Sequence, residues 1–252
     1  MKKIVFVLVI LLLSTSIYAQ RRKKRGSTIK WISLAVKGGY GNSILFNPDV
    51  ALDENVSMDY LSPAHVIGAR FGLTFGDNFG VYIEPLSASF KQKYEINDGT
   101  NTYIKTQEFK SFDFAFQLRY TSDYGFYAEA GPVFNTLKSA TESNSMDGNF
   151  RPTDSYIDNF ADKYNSLMFG LGFSAFRGDR LTVNLGLRGT YALGDEFVTN
   201  SNFYVLNDGV YSGTTTGAAT KPFSAKIMLE VNYFFAFWGD ASCGRGRLMF
   251  FQ

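Results

Sequence analysis

The chain has 252 residues, with 25 lysines and arginines against 23 aspartates and glutamates, one histidine and one cysteine. A single cysteine excludes an internal disulfide framework and a thiolate metal cluster. Beyond residue 25 the chain has 18 basic against 23 acidic residues, and this mildly acidic balance argues against nucleic acid as a partner.

Residues 1–19 have the pattern of a secretory signal peptide. Two lysines precede an apolar run from Ile4 to Leu13, and Ala19 ends a small-residue cleavage site. The apolar run is too short to span a bilayer, which requires roughly 20 residues. No later segment is continuously apolar for that length, so the sequence predicts an exported chain without transmembrane helices.

Residues 20–29 are predicted to form a basic leader in the periplasm. The leader holds five consecutive basic residues: Arg21, Arg22, Lys23, Lys24 and Arg25. Two interpretations stay open, a disordered leader or electrostatic contact with lipid headgroups or a periplasmic partner.

Eight segments are predicted to be β-strands, because apolar and polar residues alternate in them with a period of two. The hairpin at 166–191 is the clearest example, where Leu167, Phe169 and Leu171 alternate with polar or small residues. The predicted strands lie near 31–41, 64–75, 80–93, 104–120, 125–137, 165–176, 180–193 and 222–236.

The connections between these strands alternate between short turns and long loops. The long loops cover about 42–63, 94–103, 138–164 and 194–221. Tight turns at one rim and long polar loops at the other are typical of outer-membrane barrels. We therefore predict an all-β fold, an eight-stranded antiparallel up-and-down transmembrane β-barrel at 30–237. A periplasmic C-terminal tail is expected at 238–252, and both termini of the mature chain are expected in the periplasm.

Charged residues within the membrane-length apolar segments of the predicted strands all lie opposite the apolar face. There are nine of them: Lys37, Arg70, Glu84, Asp113, Arg119, Glu129, Arg188, Lys226 and Glu230. An Arg or Lys on the lipid face near the midplane costs about 2–4 kcal/mol, so we expect these residues to face the barrel interior. The leading interpretation is a packed network of ion pairs, and the alternative is a proton or ion path.

A soluble β-sandwich or lipocalin-like cup is the alternative fold, with the apolar face turned inward. That fold would place all nine charges on a solvated surface. It does not require the aromatic residues found at the strand ends, which match the interfacial girdles of membrane proteins. Those residues are Tyr40, Phe75, Tyr120, Phe126, Tyr191 and Tyr233.

The segments 82–90, 126–132 and 187–191 resemble the PorT-like outer-membrane β-barrel family. That family shows a Pro-Glu-Leu-x-Tyr-Ser pattern on its third strand and a Gly-Pro-Tyr pattern on its fifth. Here the first pattern is reordered to Glu84-Pro85-Leu86, and Val133 replaces the tyrosine of the second. The resemblance covers about 30–236. It implies an eight-stranded outer-membrane protein of a gliding, type IX-secreting bacterium, in a family in which some members act in that secretion pathway.

An enzymatic function is the alternative to a structural or interaction role. Some small outer-membrane barrels modify lipid A with a His-centred site, and His65 lies near the long-loop rim, with Ser62 and Asp59 nearby in sequence. A general base also requires a positioned nucleophile, and the sequence offers no familiar arrangement of these residues.

We therefore expect a non-catalytic barrel that binds no metal and no cofactor. Its expected contacts are outer-membrane lipid and lipopolysaccharide, together with a periplasmic or outer-membrane protein partner. The long loops are the expected place of interaction, because binding residues concentrate in loops held by a rigid scaffold.

Overall fold

The computed structural model describes residues 29–97, 99, 101–145, 151–153, 160–194, 197, 218–240 and 246–250. The predicted signal peptide, the basic run at 21–25 and most of the loop 194–221 lie outside the described residues. No helix in the described part is long and apolar enough to cross a membrane. The elements are β1 (Ile29–Phe46), α1 (Pro48–Ala51), β2 (Val56–Met58), β3 (Ser62–Phe75), β4 (Phe79–Asn97), β5 (Thr102–Thr121), β6 (Phe126–Asn144), β7 (Arg151–Thr153), β8 (Lys163–Arg177), β9 (Leu181–Leu193), β10 (Lys221–Asp240) and β11 (Gly246–Phe250).

Eight of these strands form a closed antiparallel barrel. The ring runs β1, β3, β4, β5, β6, β8, β9 and β10, and β10 pairs back with β1. Each strand pairs with the next long strand along the chain, so the topology is up-and-down. Closure leaves no unpaired edge in the ring. The predicted eight-stranded barrel is confirmed.

The period-two alternation turns the apolar side chains outward and the polar ones into the lumen. On β5, Phe112, Phe116 and Leu118 are exposed, Leu118 by 64%, whereas Gln117 and Arg119 are buried. The lipocalin-like alternative, which turns the apolar face inward, is therefore wrong. Together the outward side chains form an apolar belt around the barrel. Exposed aromatic side chains lie toward its ends at Tyr40, Phe79, Tyr120, Phe126, Tyr191 and Tyr233.

Three strands, β4, β5 and β6, continue beyond the barrel at the long-loop end. The predicted loop 94–103 is instead the tip of a hairpin, with Asn97 paired to Thr102. Short strands β2 and β7 pair with β4 and β6, respectively. Asn47 caps the N-terminus of α1, and its side chain accepts a hydrogen bond from the backbone N–H of Asp49. We call this part, residues 48–58, 92–97, 101–107, 141–145 and 151–153, the outer extension.

A separate apolar core holds the outer extension together. It consists of the buried residues Val50, Val56, Met58, Tyr94, Ile96 and Tyr103. The prediction that the outer extension consists of loops was wrong because its apolar residues are sparse. They act by packing against α1 and β2 rather than by facing the surroundings of the barrel.

The C-terminal tail continues the sheet instead of leaving it. β10 extends to Asp240, past the expected boundary at 237, and β11 pairs with it from Ala236 to Asp240. The pairing of β9 with β10 starts at Leu181 and Tyr233. The last residues of β10 therefore have a free backbone edge on that side, which β11 fills.

Candidate functional site

Seven charged side chains from seven strands meet in the middle of the lumen. We call them the lumen network, and each is at most 5% exposed: Lys37, Arg70, Glu84, Arg119, Glu129, Arg188 and Glu230. Each residue occupies an inward position of its strand, so the alternation of the sequence directs these side chains into the lumen.

Lys37 lies at the centre of the lumen network. Its Nζ is 3.0 Å from Glu84 Oε1, 3.4 Å from Glu230 Oε2 and 3.6 Å from Glu129 Oε1. One ammonium group thus joins three carboxylates that come from three different strands, β4, β6 and β10.

Three arginines contact the carboxylates around Lys37, and two of them, Arg188 and Arg119, each bridge two carboxylates. Arg188 Nη1 is 2.6 Å from Glu84 Oε2, and its Nη2 is 2.6 Å from Glu129 Oε1. Arg119 Nη2 is 2.7 Å from Glu129 Oε2 and 2.9 Å from Glu230 Oε2. Arg70 Nη1 is 2.9 Å from Glu230 Oε2. Such charge-assisted contacts fix side-chain geometry as well as contributing energy.

Neutral side chains complete the lumen network. Gln117 donates a hydrogen bond to Glu129, and Asn184 Nδ2 donates one of 2.6 Å to Glu230 Oε1. The role of these two residues was not predicted from the sequence. Both nevertheless occupy inward-facing positions of their strands, as the charged residues do. Their place in the period-two alternation is the signal that identifies them.

Two tyrosine rings cover the arginines on the short-turn side. The Arg70 guanidinium lies 4.2 Å from the ring centre of Tyr82, and that of Arg119 lies 4.2 Å from the ring centre of Tyr127. The Tyr82 ring lies directly against Gly72, where a Cβ would be 1.9 Å from Tyr82 Cδ1. Glycine at this position is therefore what lets the ring lie flat along the barrel wall.

Pairing is what makes so many buried charges tolerable. Removing one partner from a buried ion pair leaves an uncompensated charge, at a cost of about 3–5 kcal/mol. The lumen network holds four cations and three carboxylates, joined by one continuous set of ion pairs. In an eight-stranded barrel the interior is just wide enough for side chains to fill it. The lumen network therefore blocks the lumen at its level.

Asp113 and Lys226, the other two predicted interior residues, do not join the lumen network. They come from β5 and β10, on opposite sides of the ring. Asp113 Oδ1 accepts a 2.7 Å hydrogen bond from Ser111, and Lys226 donates to Ser224. Both line a cavity of about 50 Å³ above the lumen network. No ion pair joins the two within the described part of the chain.

An aromatic layer fills the lumen toward the long-loop end. Phe90 and Phe109 stack with their ring centres 4.9 Å apart, and Phe160 meets Phe109 edge-on at 4.9 Å. Tyr164 and Phe197 pack edge-to-face beside them at 5.1 Å. At the opposite, short-turn end a vestibule of about 250 Å³ leads to Arg70 and Arg119.

The structure also shows a buried ion pair that the sequence analysis missed. Lys105 Nζ lies 3.1 Å from Glu142 Oε1, and Gln107 donates a hydrogen bond of 3.2 Å to the other carboxylate oxygen. Glu142 had been assigned to a loop. Lys105 alternates in step with the inward-facing residues Gln107, Phe109 and Ser111. This alternation was the signal that could have revealed the ion pair.

His65, the residue of the alternative enzymatic hypothesis, is exposed on the outside of the barrel. It pairs with Tyr40 on β1 and Ser89 on β4. Ser62 is fully buried, and its hydroxyl donates to the backbone carbonyl of Asp59. The structure therefore does not bring the hydroxyl of Ser62 and the imidazole of His65 together.

Within the described residues, no group of three or more His, Cys, Asp and Glu side chains is placed to hold a metal ion. The carboxylates of the lumen network are occupied by lysine and arginine instead.

No known protein family and no curated protein matches the sequence. Among solved structures, OprG from Pseudomonas aeruginosa is similar with a TM-score of 0.37 and 14% identity, over 82% of this chain and 97% of that one. Ail from Yersinia pestis has a TM-score of 0.38 and 10% identity, over 81% and 99%. AlkL, solved in lipid bilayers, has a TM-score of 0.41 and 14% identity, over 84% and 93%. With likeness at this level, the assignment of the barrel rests on its own strand pairing.

Proposed function

We propose that the protein is a small outer-membrane β-barrel that serves a structural or interaction role. This proposal rests on the distribution of side chains, which is the inverse of that in a soluble protein. The outer wall is apolar on all eight strands, while seven charged side chains are buried in the lumen. In a closed barrel, all backbone N–H and C=O groups of the strands form hydrogen bonds with neighbouring strands. This is the condition for crossing a lipid bilayer with strands.

The lumen network serves, in this proposal, as a permanent internal brace and plug. Its ion pairs link seven strands across the lumen, and the aromatic layer around Phe109 fills the lumen above it. Side chains are expected to fill an eight-stranded barrel at the level of each layer. We therefore propose that the barrel neither conducts nor catalyses.

Interaction is then assigned to the parts outside the belt. The outer extension offers an ordered surface at the long-loop end, and β11 enlarges the sheet at the short-turn end. We place the long-loop end at the cell exterior and both termini in the periplasm. The proposed contacts are outer-membrane lipid, lipopolysaccharide and a periplasmic or outer-membrane protein partner.

The finer proposal is an accessory subunit of an outer-membrane secretion or assembly complex of the type IX kind. It rests on the resemblance of the segments 82–90, 126–132 and 187–191 to the PorT-like family. The basic run 21–25 and the tail 239–252 are the proposed periplasmic contacts of such a subunit.

Reconstitution tests the barrel and the plug together. Protein folded into lipid vesicles is expected to migrate differently in electrophoresis before and after boiling, and to give no single-channel current in a planar bilayer. A protein that stays soluble without lipid or detergent would contradict the membrane proposal. Steady conductance of the folded barrel would contradict the plug.

Co-purification from outer membranes tests the interaction role. The full chain is compared with variants that lack residues 21–25 or 239–252, each checked for barrel folding by its mobility shift on boiling. The proposal predicts a specific partner that is lost on truncation. A barrel that purifies alone in all three forms would contradict a role as a complex subunit.

A further inference from the structure

Four lysines lie side by side on the outer wall, directly above the apolar belt at the long-loop end. They are Lys91 on β4, Lys110 on β5, Lys138 on β6 and Lys163 on β8. We call them the lysine arc. The side chain of Lys110 is 64% exposed and that of Lys91 is 38% exposed, and Lys138 and Lys163 are also exposed.

Strand pairing places the four lysines at one height. Lys91 pairs with Glu108, two residues from Lys110, and Lys110 pairs with Ser139, next to Lys138. Lys163 pairs with Thr136, two residues from Lys138. Each step is displaced toward the short-turn end. Because the strands of a barrel are tilted, residues at equal height are offset along the pairing in this way.

The lysine arc follows immediately on the belt. Two residues below Lys110 is the exposed Phe112, and four residues below Lys138 is the exposed Phe134. In the orientation proposed above, this level is where the acyl region of the outer leaflet gives way to its headgroups.

The lysine arc occupies one half of the rim. At a similar level the other half presents mainly apolar side chains, with Phe46 on β1, Leu61 before β3 and Leu193 on β9 all exposed. One half-exposed lysine, Lys221 on β10, pairs with Phe46 there. A ring of cations all round would be a general feature of an interface. A one-sided arc above an apolar wall has instead the form of a site for a single kind of lipid.

Carboxylates neutralise only part of the lysine arc. Glu108 lies 2.8 Å from Lys91 and 4.0 Å from Lys110, and Asp162 is the chain neighbour of Lys163. Within the described residues, no carboxylate lies at ion-pair distance from Lys138 or Lys163. Counted over the described residues, the lysine arc therefore keeps a net positive charge for an anion.

We propose that the lysine arc binds the phosphate groups of an outer-leaflet glycolipid of the lipid A type, whose acyl chains lie on the belt beneath it. This inference rests on the proposed function, since it requires the long-loop end to face the outer leaflet. Two phosphates on a rigid sugar headgroup match a row of cations spread over three or four strands. A single-phosphate lipid reaches fewer of them.

The test is a binding titration of the purified full-length barrel in a neutral detergent, followed by native mass spectrometry. Three lipids are compared: bisphosphorylated lipid A, the same lipid A after removal of its phosphates, and phosphatidylglycerol. The variant Lys110→Gln, Lys138→Gln, Lys163→Gln is compared with the same three positions changed to Arg. Single variants Lys138→Gln and Lys93→Gln form a matched pair, because Lys93 is exposed above the arc on β4.

We expect the triple Gln variant to bind lipid A on the order of a hundredfold more weakly, from the contribution of each lysine near an anionic surface. The triple Arg variant and Lys93→Gln are expected to bind as the unchanged protein does. Dephosphorylated lipid A is expected to bind the triple Gln variant and the unchanged protein equally.

Undiminished lipid A binding by a correctly folded triple Gln variant would overturn the inference. Equal affinity for phosphatidylglycerol would overturn it too, by showing an unselective anionic surface. A chain that shows no mobility shift on boiling, even unmodified, would instead overturn the proposed function on which the inference rests.

Discussion

At the scale of single residues, the lumen network is cooperative because each carboxylate serves several cations. Glu230 contacts Lys37, Arg70 and Arg119, and it also accepts a hydrogen bond from Asn184. Neutralising it leaves three buried cations short of a partner at once. The consequence should far exceed that of a surface substitution.

We predict that Glu230→Gln lowers the free energy of unfolding by about 3–5 kcal/mol, because it leaves buried positive charge unpaired. Urea-induced unfolding in lipid vesicles measures the change. Glu95→Gln is the matched control, since Glu95 is exposed on β4, and we expect it to change the free energy of unfolding by no more than about 0.5 kcal/mol. Equal stabilities of the two variants would contradict the bracing role.

The interior position of the charged residues follows from the period-two alternation alone. Which of these residues form ion pairs with one another does not. Arg188 and Glu84 are in contact although they are 104 residues apart in the chain. Which side chains meet depends on the tilt of the strands and on their order around the ring. Period-two alternation contains neither, so the split between the lumen network and the pair Asp113 and Lys226 could not be predicted.

At the scale of elements, the strands of the barrel were predictable and the outer extension was not. A strand that crosses the belt shows its full alternation, as β8 does from Leu167 to Phe173. Above the belt, the outward side chains of β4 and β5 are polar, such as Lys93 and Glu108. On β4 the alternation is then reversed, because the apolar residues Tyr94 and Ile96 are the inward ones. This short reversed pattern does not match that of a strand in the belt.

Tyr94 gives the outer extension a predicted sensitivity to alkali. Burial above the belt, reinforced by the negative charge of Glu142, raises the pKa of the Tyr94 phenol from its ordinary value. The folded extension keeps this proton at a pH where the unfolded chain, with an ordinary pKa of about 10, releases it. The stabilising effect is therefore complete below about pH 10 and is lost as the pH rises further.

We predict that the outer extension opens above about pH 10 and that Tyr94→Phe shifts this opening to higher pH. A spin label at Leu52→Cys, which is exposed at the end of α1, reports the opening as increased mobility. A label in the barrel wall at Leu118→Cys is the control and should not respond. An identical opening pH for the Tyr94→Phe variant would contradict burial of the phenol as the cause.

At the scale of the whole molecule, one alternation in sequence produces two surfaces of opposite character. Closure of the ring between β1 and β10 separates them. The apolar wall points outward, and the polar residues are confined to a lumen filled by the lumen network and the aromatic layer. The proposed contacts with lipid and protein partners are assigned to the lysine arc, the outer extension and the sheet enlarged by β11.

The most direct test of this account is oxygen accessibility along β5 in a lipid bilayer. Nitroxide labels are placed one at a time at positions 112–120, in a chain whose only native cysteine, Cys243, is changed to Ser. Oxygen is concentrated in the bilayer core, so outward labels should be relaxed strongly and inward labels weakly. The account predicts maxima at Phe112, Phe114, Phe116, Leu118 and Tyr120. Maxima at the positions between them, or no alternation at all, would contradict it.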